Sequence, residues 1–88
     1  MMGPELGVLA VSRAGHDRGK VFLIVGRSGS EYVLLADGMT RKLDCPKKKK
    51  LKHLQATGRT VAEAARRIGQ GESMQDHEIR NWLSNEEG

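Results

Sequence analysis

The chain has one cysteine, three aromatic residues and no long apolar run, and each shortage excludes something. With Cys45 alone no intrachain disulfide can form, and a reducing, cytoplasmic setting is expected. The apolar stretch VFLIV, residues 21 to 25, falls far short of the ~18 residues of a membrane span. The opening MMGPELG has neither the basic region nor the apolar stretch of a signal peptide, so no membrane partner is expected. Cys45, His16, His53 and His77 are the soft metal ligands, and no two of them stand at a zinc-ligand spacing. Cys45 lacks the His-plus-acid arrangement of an activated nucleophile, and neither GRSGSEY nor GHDRGKV satisfies the GxxxxGK[ST] phosphate loop. The expectation is therefore no metal, no cofactor and no enzyme activity.

What the chain does have is positive charge in one place. Its 88 residues suit one small domain with a modest core, and 30% charged residues suit a globular protein. The net charge is +4, but residues 1 to 40 balance at zero and residues 60 to 88 carry −3. Residues 41 to 59 hold eight basic groups against Asp44 alone, and the segment DCPKKKKLKHL supplies most of them. Charge concentrated in this way is what a polyanion site requires.

The runs GVLAVS (7 to 12), KVFLIVG (20 to 26) and EYVLLA (31 to 36) are β-branched or aromatic-rich and bounded by turn residues, which predicts strands. Connections as short as RSGS make such strands antiparallel neighbours. RKLD (41 to 44) reads as a fourth strand and LKHLQAT (51 to 57) as a fifth, with the lysine run presented between them as a tethered loop. Five short strands without an intervening helix predict a bent sheet closing into a small barrel. After residue 58 the pattern turns helical. TVAE predicts a capping box between Thr60 and Glu63, and GQG (69 to 71) ends that helix. A second helix is expected with Ser73 as its cap and Ile79, Trp82 and Leu83 as an apolar stripe. The fold class is thus mainly β, a barrel over residues 5 to 58 with a helical extension over 59 to 88.

The strand–loop–strand GVLAVSRAGHDRGKVFLIVG, with Val8, Val11, Gly15, Gly19, Lys20, Val21 and Val25 at the matching places, resembles the KOW motif of ribosomal and transcription-elongation proteins. Through EYVLLADGMTRKLDCPKKKKLKHLQAT it is similar to the archaeal and eukaryotic large-subunit ribosomal proteins numbered fourteen, over residues 7 to 57. The resemblance implies an SH3-like barrel that binds structured RNA, ribosomal RNA first, as a ribosomal or ribosome-associated protein of translation. It also implies that the loop SRAGHDRGK touches RNA.

The candidate RNA-binding residues follow from charge and resemblance together. In the loop they are Arg13, His16, Arg18 and Lys20, where arginine forks and glycine-freed backbone amides suit phosphates. In the basic segment they are Arg41, Lys42, Lys47, Lys48, Lys49, Lys50, Lys52 and His53. Lysine is a flexible point charge, good for backbone attraction and poor for base reading, and five or six engaged lysines predict a salt slope near −4 to −5. Phe22, Tyr32 and Trp82 are few rings for base stacking, which favours structured RNA over sequence-specific single strands. The alternative function is docking of a protein such as RNA polymerase, through the barrel edge or a helix surface of Ile79, Trp82 and Leu83.

Overall fold

A computed structural model describes residues 6–87, so the outer limits of the two expected regions, 5 and 88, lie outside the described residues. Five strands, β1 (Val8–Ser12), β2 (Val21–Ser28), β3 (Tyr32–Ala36), β4 (Lys47–Lys50) and β5 (Leu54–Thr60), precede two helices, α1 (Ala62–Gln70) and α2 (Asp76–Glu87). All four strand pairings are antiparallel, in the order β4-β3-β2-β1-β5. Register shifts between Ile24 and Gly26 and between Val8 and Ala10 break the ladders, as bulges do where a sheet bends. The result is the expected fold class, a small mainly-β domain with a helical C-terminal part.

The unbroken apolar character of VFLIV has a cause in this architecture: both faces of the sheet are covered. Residues directly opposite in a ladder share a face, and successive residues alternate faces. One face gathers Ala10, Phe22, Ile24, Val33 and Leu35 into the concave interior. The other gathers Leu9, Leu23 and Ala36 under Ala64 of α1 and Ile79 and Leu83 of α2. The helices are therefore half of the hydrophobic core.

Two glycines let the helices come this close. At Gly7 an added Cβ would lie 2.7 Å from the Cβ of Ala65, and at Gly38 it would lie 2.4 Å from the carbonyl oxygen of Asp76. Both have positive φ, 87° and 78°, which costs glycine little and other residues more. Beside Gly38, Arg80 Nη1 donates to the Gly38 carbonyl at 2.7 Å and the Leu43 amide donates to Asp76 Oδ1 at 2.8 Å. The segment DGMTRKL is thus the seat of α2. It holds no strand, which corrects the reading of RKLD. Asp37 accepts the amides of Met39 and Arg41 and the Thr40 hydroxyl, folding the chain into a tight turn instead.

The helix starts also differ from expectation. Thr60 pairs with Val8 at the end of β5, so it is unavailable as a cap, and Glu63 turns to Arg66 and Arg67. The second capping pair is displaced from Ser73, because Glu78 Oε1 accepts the Gln75 amide at 3.0 Å, the reach-back half of a capping box. α1 does end as predicted, with Gly71 in the left-handed conformation. Arg67 bridges Glu63 and Glu78 at 2.7 Å each and ties the helices together.

Candidate nucleic-acid interface

The lysine run is a strand, and the alternation of a strand divides it in two. In the ladder Lys47 lies opposite Leu35 and Lys49 opposite Val33, on the interior row. Lys48 lies opposite Leu34 and Lys50 opposite Tyr32, on the outward row. Lysine is an uncommon strand former, but β4 is an edge, where lysine is favoured because it discourages pairing with another chain. The expected loop is corrected accordingly: the first four lysines are built into the sheet.

The inner pair is used by the fold. Lys49 is 9% exposed, and its Nζ donates to Ser12 Oγ and to the Ala14 carbonyl, at 2.9 Å each. Asp17 Oδ2 lies 3.0 Å from Lys47 Nζ and 3.9 Å from Lys49 Nζ. That oxygen is buried and makes no well-directed hydrogen bond, so its charge is met by the two ammonium groups. Lys47 beside it holds the Asp17 carboxyl below its usual range, against the opposing effect of burial, and Lys49 and Arg41 add attraction. Lys47 and Lys49 thus join β4 to the loop after β1, their ammonium groups committed to partners within the fold.

The outer pair, Lys48 exposed and Lys50 half-buried, stands around the one tyrosine. Lys48 Nζ stands 4.9 Å and Lys50 Nζ 5.8 Å from the centroid of the Tyr32 ring. Such a contact at an exposed site is worth about 0.5–1 kcal/mol. Tyr32 and Leu34 are half-buried and belong to neither core cluster, so this stretch of the outward face is left uncovered by α1 and α2 among the described residues. Past Lys50 a shallow recess of ≈ 200 Å³ is lined by Ser30, Glu31, Lys50, Leu51 and Lys52.

The loop between β1 and β2 meets this strand from the other side. A 3-10 turn over Gly15–Asp17 places Asp17 toward β4 while Arg13, His16, Arg18 and Lys20 remain exposed. Arg13 is fixed to the turn that follows β4 and to the start of β5, since its amide donates to the His53 carbonyl at 2.8 Å and its guanidinium donates to Gln55 Oε1. His53 and the exposed Lys52 belong to that 3-10 turn, Leu51–His53. The region from residue 51 to 53 is therefore no strand, and β5 starts at Leu54.

Two expected features of the loop are absent. The amides of Arg18, Gly19 and Lys20 bond within the hairpin, to Gly15, Ser12 and Asp17, so these amides are not available to a phosphate and the side chains must do that work. Lys20 lies apart from the seam, beside Asp37 and Arg80 in a recess of ≈ 360 Å³ between the loop and α2. Burial opposes ionisation of Asp37, but the amides of Arg41 and Met39 and the Thr40 hydroxyl hold its carboxyl below the usual range, with Lys20 contributing. Arg41 is half-buried near Asp17, and Lys42 is exposed in the segment leading to β4.

The structure also decides the helix stripe. Ile79 is fully buried and Leu83 is 7% exposed, while the half-buried Trp82 packs against the same core. Ile79 and Leu83 are spent covering the sheet, which leaves Trp82 as the part-exposed member of the expected docking stripe. What the sequence reading missed is Tyr32 as a surface group, for which the signal was its position opposite the lysine run in an antiparallel pair.

No protein-family model matches the chain, and a search of curated proteins finds no match.

Proposed function

We propose that this protein binds RNA without catalysis, with ribosomal RNA as the first candidate and a ribosomal or ribosome-associated role in translation. The observation that carries the reading is the cationic surface around β4, exposed except at the half-buried Lys50. Arg13, His16 and Arg18 in the loop, Lys48 and Lys50 on the outward row, and Lys52 in the following turn surround a seam whose own acid, Asp17, is already matched by two lysines. The remaining positive charge is held on strands and turns braced by Lys49 and Arg13, so little ordering is needed when phosphates bind. Lysine and arginine side chains supply backbone attraction, and RNA shape supplies selectivity.

The reading is tested by sedimenting a lysate of cells that express the chain and by measuring affinity for purified ribosomal RNA. Co-migration with ribosomal particles, lost in high salt, is expected. A chain that stays at the top of the gradient and binds purified ribosomal RNA no better than a neutral protein does would remove the proposal.

A further inference from the structure

Resting on the RNA-binding reading, we infer that the RNA meeting β4 is an unpaired strand, its backbone laid along Lys48 and Lys50 and one base set against the Tyr32 ring. Lys48 and Lys50 are two residues apart on one strand face, a separation of about 6.4–6.8 Å along the chain. That is close to the step between successive phosphates of an extended single strand. Both ammonium groups gather over the same ring, 4.9 and 5.8 Å from its centroid, so cations and aromatic face are supplied together.

A duplex has no use for the ring. Its bases are stacked and hidden, and an A-form major groove is too deep and narrow for a side chain on a flat strand to reach them. An unpaired base has an open face, and its stacking on an aromatic side chain is comparable to the two exposed cation–π contacts it replaces, while the released ammonium groups gain phosphate partners. The base therefore takes the ring, and the two ammonium groups move the short distance to the flanking phosphates. Leu34 extends the apolar ground beside Tyr32 on the same row.

Tyr32 is the only tyrosine, so the full chain labelled with 3-fluorotyrosine gives a single fluorine resonance. It is titrated with an oligoadenylate of about eight nucleotides and with an RNA duplex of about 16 base pairs. The resonance is expected to shift with the single strand and stay in place with the duplex. Tyr32→Ala should weaken single-strand binding about 5- to 100-fold while Tyr32→Phe retains it. If Tyr32→Ala does not fold by circular dichroism, Lys48→Glu, at an exposed position, should lower single-strand affinity in its place. A resonance unmoved at saturating single strand, or Tyr32→Ala binding like the parent, overturns the inference. Duplex binding without single-strand binding also overturns it and leaves the RNA reading standing. Binding of neither RNA removes both.

Discussion

Lys49 Nζ donates to Ser12 Oγ across 2.9 Å, joining β4 to the end of β1, two strands that share no ladder. The contact crosses the open side of the bent sheet. A cation in the middle of a basic run thereby becomes part of the fold, and its stem is packed while its head is hydrogen-bonded.

Replacing Lys49 by Met keeps the stem and removes the head, leaving Ser12 Oγ without its donor and Asp17 with one cation fewer. The expected loss is about 1–3 kcal/mol, read as a fall of several degrees in melting temperature. Lys48→Ala, one residue away on the exposed row, should change stability by less than about 0.5 kcal/mol. Equal effects from the two would contradict the division of the run.

Acid should weaken this seam. The Asp17 carboxyl is held below 3.8, chiefly by Lys47. A carboxyl lowered in the folded state contributes stability above its unfolded value and loses it as pH falls through its folded one. Glu63, lowered from 4.5 to about 2 by Arg66 and then Arg67, acts in the same direction and to lower pH. Urea denaturation followed against pH should therefore show stability declining below about pH 4. In Asp17→Asn the decline should be shallower, starting from a lower stability at neutral pH.

Gly7→Ala and Gly38→Ala should each destabilise by about 2–4 kcal/mol, combining unfavourable positive φ with overpacking. The added methyl meets Ala65 in the first and the Asp76 backbone in the second, so each should loosen a different helix from the sheet. Gly69→Ala, inside α1 with open space around it, should instead stabilise by about 0.5 kcal/mol through helix propensity. Denaturation midpoints of the three variants check both signs.

Ile79→Ala should cost about 2–4 kcal/mol, because its side chain is fully buried against Leu9, Leu23 and Ala36. A surface reserved for a partner would lose binding with stability intact. The fluorescence of Trp82, the sole tryptophan, reports the same unfolding transition.

The first three strands were legible because VFLIV, VLAV and YVLLA are apolar or aromatic throughout, the first two serving a two-sided core and the third a core on one face and a part-covered surface on the other. The fourth was not. Four identical residues carry no alternation, so KKKK does not announce which side chains face in, and edge pairing with β3 overrode the low strand propensity of lysine. RKLD looked more strand-like, but the Asp37 turn and the Leu43 contact with Asp76 claim that segment for α2. Thr60 carried a valid capping pattern and lost it to β5, which is shifted three residues along the chain and ends at Thr60, a competition between local and sheet hydrogen bonds that local sequence does not decide. At the site, composition located the positive charge. Which lysines are exposed, and that one of three aromatic rings stands among them, required the register.

We propose that the outward half of the lysine run meets RNA while the inward half holds β4 to the end of β1 and the loop after it. The direct test is the salt dependence of RNA affinity for the parent chain and for Lys48→Ala/Lys50→Ala, at matched stability. Removing two phosphate contacts should reduce the slope of log K against log salt by about 1.4–1.8. A slope unchanged by the double substitution would contradict RNA contact by the outward lysines.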